Sequence, residues 1–264
     1  MLKFPCANNA VRLWEVMLPQ DFSKLEVIGE GKTKIVRRME NPDLVLLEFK
    51  DAITALDGEK KDTLTGKGHI NARISSFLFE FLSKEGVPTH YVSFIEPNYM
   101  VVRRLKMLPV EIVCRNIAAG SFTKKYPVKA GSRLKYPVVE YYLKDDLRHD
   151  PMMNEDHIVV LGILPSIEEV KEIKELTLKV NKSLSNFLDS KGITLVDFKL
   201  EFGKDKDGKI CIGDEINGDS MRLWDKETGR VLDKDVYRQG KKLSEVLETY
   251  RECYKRIIGE EPKV

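Results

Sequence analysis

Hydrophobic and polar residues alternate along this chain in two rhythms, and the points where one gives way to the other mark its elements. From Leu25 the stretch LEVIGEGKTKIVRRMENPDLVLLEFKD keeps the short period of strands, predicting three antiparallel strands bent at Gly29 and Gly31 and again at Asn41-Pro42-Asp43. A polar loop rich in Gly, Lys and Asp follows, and such a loop inside a compact domain is more often functional than idle. The rhythm then lengthens: Ile70, Ile74, Phe77, Leu78 and Phe81 make a helical stripe between His69 and Lys84, stopped by Gly86. Next, THYVSFIEPNYMVVRR reads as a strand pair turned at Glu96-Pro97-Asn98, Lys106 to Pro109 as a connector, and PVEIVCR as a strand ending at Arg115. Residues 123 to 165 look loop-rich. The clearest helix covers 166 to 190, opened by Ser166 with Glu168 and Glu169 and closed by Lys191-Gly192. A polar loop leads to a last amphipathic helix, from about Ser244 to Ile258, whose face is Val246, Leu247, Tyr250, Tyr254 and Ile257. Residues 1 to 20 have no clear period, and they read either as a packing extension or as residues upstream of a natural start at Met17.

The chain is organised around residues 195 to 225. In the first arm of a predicted hairpin, alternation puts Asp197, Lys199 and Glu201 on one face and Val196, Phe198 and Leu200 on the other. Asp207-Gly208 is a favoured reversal pair, and the return arm brings Asp214 and Glu215 back past the first arm's carboxylates. Carboxylates placed this close call for neutralisation, which a divalent cation with nucleotide phosphates supplies; the competing reading is an exposed hairpin with a solvated charged face.

Composition narrows the classes. The chain has 264 residues and a formal charge of +2, so it has ample apolar content for a core and no bulk basic field to collect nucleic acid. No run approaches a membrane span and no signal-peptide pattern opens the chain, which points to the cytoplasm. Cys6, Cys114, Cys211 and Cys253 lack paired spacing, so they are expected to be reduced, without a zinc site or disulfide framework.

Local chemistry is sharper than bulk charge. Gly29 and Gly31 let backbone amides approach a phosphate, and Lys32 and Lys34 bring charge to the same place; an ordinary glycine hairpin with exposed lysines is the alternative. A P-loop is rejected, because its first glycine position is Glu26 and a β-branched run, Ile35-Val36, follows where a helix should begin. After Arg115, the residues Asn116, Gly120 and Ser121 occupy a turn suited to a sugar phosphate, against a plain strand-end salt bridge. Asp145, Asp146, Asp150, Asp156, His149 and His157 match no defined metal loop and read as solvated or capping residues, and His69 as a polar residue near a helix start.

Taken in order, GEGKTKIV, EFKDAITALDGEK, GKGHINARIS, PVEIVCRNIAAGSF, YYLKDDLRHDPMMN, LVDFKLEFG and GDEINGDSMRLWDKETG resemble the phosphoribosylaminoimidazole-succinocarboxamide synthase (SAICAR synthetase) family over about residues 25 to 258. The resemblance implies an α+β fold with an antiparallel N-terminal β domain, residues 25 to 108 after an extension of 1 to 24, over a larger α+β domain, residues 109 to 264. An ATP cleft would lie between them, as in the similar protein kinase and ATP-grasp folds. It also implies an ATP- and Mg2+-dependent ligase of purine biosynthesis that joins L-aspartate to carboxyaminoimidazole ribotide, and a homo-oligomer is expected. By the same resemblance, Gly31, Lys32 and Lys34 would cover the ATP phosphates, Lys106, Met107 and Leu108 would meet the adenine, and Glu201 and Asp214 would hold magnesium. Arg115, Ser121 and Arg222 would grip the ribotide phosphate, Asp219 the ribose hydroxyls and Lys199 the imidazole carboxylate. Asp57 matches a position near the ribotide, and Lys34, Lys199 and Asp197 are the catalytic candidates. The segment Asn217-Gly218-Asp219 stands where the family often has Ser-Pro-Asp, with the aspartate retained. The aspartate pocket is expected at the Lys144 to Asp150 loop with Lys124 and Lys125.

No Ser, Cys or His nucleophile arrangement is present to support a covalent enzyme intermediate. Two rivals to the ligase remain: a small-molecule kinase, which predicts ATP turnover without aspartate, and a nucleotide-binding regulatory module, which predicts ATP binding without turnover.

Overall fold

The computed structural model describes residues 21 to 55 and 59 to 263; Asp57, Cys6 and the 1 to 20 segment lie outside them. A five-stranded antiparallel sheet comes first, ordered β1-β2-β3-β7-β6, from β1 (Val27–Glu30), β2 (Lys34–Arg38), β3 (Leu44–Phe49), β6 (Tyr91–Ile95) and β7 (Tyr99–Arg103). The second sheet runs β10-β9-β8-β11-β12 from β8 (Lys106–Ile117), β9 (Arg133–Leu143), β10 (Met152–Met153), β11 (Ile193–Lys204) and β12 (Ile210–Gly213), with β13 (Met221–Asp225) also pairing β11. Helix α1 (Lys67–Lys84) packs on β3, β6 and β7, whereas α4 (Ile167–Ser190) packs on β11, β8 and β9. Helix α6 (Leu243–Ile258) docks on α1, and the short helices α2 (Ser121–Lys125), α3 (Glu155–Val160) and α5 (Asp235–Arg238) complete the fold.

The periodic segments behave as their patterns require. Ser166 accepts the Glu169 N–H and opens α4, and Gly192 closes the helix with φ +69°. Along α4, Val180, Leu184 and Leu188 have no exposed surface, and burying each such side chain contributes on the order of 1.5–3 kcal/mol. Helix α1 takes its cap from outside: Asp51 accepts the N–H groups of Gly66 and Gly68 at 3.1 and 2.8 Å. A Cβ at Gly68 would stand 2.4 Å from the Phe49 carbonyl oxygen, so only glycine lets the helix start this close to β3.

Four expectations need correction. The connector at Lys106 to Pro109 is the first part of β8, with Met107 opposite Gly203 and Lys106 opposite Lys204. Within the loop-rich 123 to 165 stretch lies the eleven-residue strand β9; Pro137 masks it in sequence, but falls where the β8–β9 register slips between Arg115 and Ile117, so its missing N–H breaks no regular ladder. The polar loop before α1 contains a separate two-stranded ribbon, β4 (Ala52–Ala55) with β5 (Lys60–Thr63). Finally, a bulge between Leu195 and Asp197 shifts the alternation of β11. Leu195, Phe198 and Leu200 therefore reach the main core, while Val196 joins Ile117 and Ala119 in a small cluster of its own.

The capping reading of the acidic 145 to 157 stretch holds for several members. Asp145 accepts the Arg148 N–H, Asp150 accepts the Asp145 N–H, and Asn154 with His157 forms a capping box on α3. Cys114, Cys211 and Cys253 are buried free thiols. Among the described residues no helix is long and apolar enough to cross a membrane.

Candidate active site

Where the first sheet meets the second, β2 sends Lys34 to the segment that follows β12: its Nζ lies 2.9 Å from Asp214 Oδ1 and 3.0 Å from Glu215 Oε2. Burial works against the ammonium, but the two carboxylates outweigh it and hold the Lys34 pKa well above the ordinary lysine value. Asp214 turns out of the strand with φ +58°, a left-handed conformation that few residues other than Gly, Asn or Asp adopt and that recurs at functional sites.

On the floor, Lys199 Nζ sits 2.6 Å from Glu111 Oε1 and 3.4 Å from Glu201 Oε1, and Lys144 Nζ lies 2.6 Å from Glu201 Oε2. Burial pushes the Glu201 carboxyl up, yet Lys199 and Lys144 together bring it below its ordinary value. Burial likewise opposes the Lys199 charge, which Glu201 and Glu111 hold well above the ordinary range. Glu111 went unread in the sequence; its signal is that it shares a strand face with Arg115 and is the register partner of Glu201. Lys32 pairs with Asp146 at 3.2 Å, with both side chains more than half exposed, a contact of little energetic weight. Gly31 sits in the β1–β2 turn, donating its N–H to the Lys34 carbonyl. Met107 is exposed and lies over Gly213, where a Cβ would meet its Sδ and Cε at 3.2 Å. Leu108 packs its side chain into the core, which removes that side chain as a ligand contact.

A second cluster gathers Arg115, Ser121 and Arg222 as expected. Arg115 donates from Nε to Glu140 Oε2 at 2.6 Å, from Nη1 to Asp197 Oδ2 at 3.1 Å and from Nη2 to the Ser121 hydroxyl at 3.0 Å. Arg222 holds the same Asp197 through Nη1 at 2.9 Å and Asp235 through Nε at 2.8 Å. Burial pushes the Asp197 carboxyl up, with the two guanidiniums opposing the shift. Asp197 thus clamps both arginines, the position of a residue that orients them. Gly120, at φ +56°, leaves the room they need: a Cβ there would stand 2.6 Å from Arg222 Nη2.

Asp219 lies deeper. Its Oδ2 is 2.7 Å from Lys67 Nζ and 3.9 Å from Lys234 Nζ, and the Tyr250 hydroxyl donates to its Oδ1. Although burial opposes the charge, Lys67 and Lys234 hold this carboxyl well below the ordinary range. Lys67, with no exposed surface, was missed in the sequence, where the glycines on either side in Gly66-Lys67-Gly68 were the available hint.

The donor set suits magnesium. Glu201 and Asp214 offer hard carboxylate oxygens, and Gly213, which precedes Asp214, is the cross-strand partner of Glu201. Among the described residues no group of three or more potential metal-ligating side chains is assembled.

Fold and site together define an α+β enzyme in which lysine–carboxylate pairs gather where two antiparallel sheets meet and two arginines share one carboxylate on the same sheet. The family model described as SAICAR synthetase matches residues 27–257, and the chain belongs to that family. Phosphoribosylaminoimidazole-succinocarboxamide synthase of Methanoculleus marisnigri is 49% identical over 236 residues, which are 89% of this chain and 96% of that protein. The Pyrococcus furiosus protein of the same name is 48% identical over 90% of this chain and 99% of its own length. Among solved structures, a SAICAR synthetase in complex with ADP superposes with a TM-score of 0.86 at 47% identity, covering 90% of this chain and 100% of that one.

Proposed function

We infer that this chain catalyses the reaction of its family, the ATP-dependent ligation of L-aspartate to the carboxylate of carboxyaminoimidazole ribotide, yielding the succinocarboxamide, ADP and phosphate in purine biosynthesis. The observation that carries the inference is the meeting of Lys34, Asp214, Glu201 and Lys199 where the two sheets join, within reach of one small volume. A carboxylate is a poor acyl donor, so one of its oxygens attacks the γ-phosphorus of ATP, ADP leaves, and an acyl phosphate forms. The aspartate amine then attacks the carbonyl carbon, phosphate leaves, and the nitrogen gives up a proton.

The residues divide this work. Lys34 neutralises charge on the transferring phosphoryl group, Gly31 and Lys32 cover the phosphates, and the Lys106–Met107–Leu108 backbone meets the adenine. Lys199 holds the carboxylate to be activated. Glu201 and Asp214 would hold Mg2+, which would supply positive charge beside the transferring phosphoryl group. Arg115, Ser121 and Arg222, oriented by Asp197, grip the ribotide phosphate, with Asp57 and Asp219 on the ribotide side. Because Asp219 is engaged by Lys67 and Tyr250, contact with the ribose requires it to exchange a partner. The aspartate carboxylates are met by the Lys144 to Asp150 loop with Lys124 and Lys125; Lys144 already stands at Glu201, and the Lys125 ammonium lies 5.0 Å from the Tyr142 ring centre. Residues 25 to 108 form the lobe that covers ATP and residues 109 to 264 the lobe that holds the other substrates. The enzyme works in the cytoplasm as a homo-oligomer. Exclusion of water protects the acyl phosphate from hydrolysis.

The deciding experiment is ADP release with the ribotide present, with and without L-aspartate, followed beside product absorbance. Aspartate-dependent turnover that vanishes in Glu201→Gln supports the ligase. ADP release indifferent to aspartate would instead assign a kinase, and ATP binding without turnover a regulatory module.

A further inference from the structure

Helix α5 is only four residues long, and a helix that short has no stability of its own. No side chain caps its start. Yet it carries Asp235, whose Oδ2 accepts the Arg222 Nε at 2.8 Å. Asp197 meets the same guanidinium at Nη1, and a contact at one nitrogen leaves the plane of the group free to turn; the second carboxylate, at Nε, sets it. The place of α5 therefore decides where Arg222 aims its remaining edge.

What holds α5 comes from the other half of the molecule. Lys60 and Asp62, two residues apart and so on one face of β5, grip Tyr237 from both ends. The Tyr237 hydroxyl donates to Asp62 Oδ2 at 2.7 Å, while the Lys60 ammonium lies 4.0 Å from the ring centre and donates to the Tyr237 carbonyl at 3.2 Å. Tyr237 has no exposed surface, and burial together with the Asp62 carboxylate pushes its pKa up to about 12, so the hydroxyl stays protonated and donating. On the other side, Asp233 accepts the N–H groups of Leu223 and Asp235, both at 2.7 Å, and ties the start of α5 to β13 beside Arg222. Packing alone explains a buried ring, but not a carboxylate brought to its hydroxyl from Asp62, an otherwise exposed residue.

We propose that Tyr237 is a positioning residue for the ribotide phosphate: held by Lys60 and Asp62, it fixes α5 so that Asp235 turns the Arg222 guanidinium toward the Gly120–Ser121 turn. The proposal rests on the assignment of Arg222 to that phosphate. It gives the β4–β5 ribbon, which lies in the lobe assigned to ATP, a part in binding the other substrate.

Steady-state kinetics of the full chain test it. Tyr237→Phe keeps the ring and removes one hydrogen bond; it should raise the ribotide KM about fivefold and leave the ATP KM and kcat near wild type. Asp62→Ala should do the same, and the double variant should be no worse than either single one, because both remove one shared contact. Asp235→Ala, which takes a charged partner from Arg222 itself, should raise the ribotide KM about tenfold or more. A rise in Arg222→Gln with none in Tyr237→Phe and Asp62→Ala would leave the phosphate reading standing and overturn the positioning role. No rise in Arg222→Gln would remove both. Equal rises in the ribotide and ATP KM would mark a general loosening of the fold and overturn the role as well. If Tyr237→Phe folds poorly, the exposed Asp62 position decides the matter by itself.

Discussion

Asp214 and Asp219 sit on one short segment, each paired with a lysine from the first half of the chain, yet the two pairs do different things. Lys34 and Asp214 meet at 2.9 Å with side chains 12% and 21% exposed, whereas Lys67 and Asp219 meet at 2.7 Å with side chains 1% and 3% exposed. Coulomb attraction is common to both, so the difference lies in what can reach them. The first pair is the one that a phosphate or a cation from solvent could reach, as the role proposed for it requires. The second pair is sealed, and its partners are costly to separate because each would be left as a buried charge. It ties the start of α1 to the turn before β13, with Lys67 Nζ also donating to the Ala52 carbonyl at 3.1 Å. The open pair can exchange a partner at little cost, whereas the closed one holds its elements together and gives up a partner only to a ligand group that replaces it.

The contrast is broken most directly at Lys67. Lys67→Met should cost about 3–5 kcal/mol in urea unfolding, since it strands Asp219 as a buried carboxylate. Adding Asp219→Asn should recover much of that loss; additive losses would mean that the pair is not the source. At Lys34 the opposite balance is expected. Lys34→Met should lower aspartate-dependent turnover by about 10²–10³-fold, while the unfolding midpoint moves little beside the Lys67 variant. A large drop in stability with turnover preserved would reverse the roles assigned to the two lysines.

Acid sharpens the comparison through Asp219. Its folded pKa lies below its unfolded value, so its contribution is complete above the ordinary carboxylate range and is lost as pH falls below it. The wild-type unfolding free energy should therefore decline with acidification more steeply than that of Lys67→Met/Asp219→Asn, and parallel curves would refute this. Asp233 runs the other way: burial and the nearby Asp235 push its folded pKa up to about 7, so its share of stability is present at low pH and is lost as pH rises toward 7. The smallest effect is expected at Ser121→Ala, which removes one hydrogen bond to Arg115 and should raise the ribotide KM a fewfold, about one hydrogen bond's worth, with the ATP KM unchanged. A shift in the ATP KM alone would place this hydroxyl at the other end of the cleft.

Much of this protein is legible in the order of its residues, and the limits of that legibility fall at identifiable residues. The helical periods read at 69 to 84, 166 to 190 and about 244 to 258 fall within two residues of α1, α4 and α6, because with Ser166, Gly86 and Gly192 as punctuation they depend on local backbone and side-chain preferences that act within a few residues. The alternation through Lys199 and Glu201 and the nearness of Ser121 to Arg115 were likewise written in the order of residues, whereas Arg222 was placed beside them only by the resemblance to the family. Strand β9 was hidden because Pro137 argues locally against a strand, and only the slip in register against β8 accommodates it. The bulge that turns Val196 away from Phe198 arises from pairing with β13, a partner encoded far along the chain. Burial decided the rest: Lys67, Glu111 and Glu140 look in sequence like any charged residue, and only the packing of distant elements removes water from around them and sets their partners. Local pattern determined which elements form and which chemistries are available, whereas tertiary packing determined which of those charges stay open to a ligand, because exposure belongs to the assembled surface and to no segment alone.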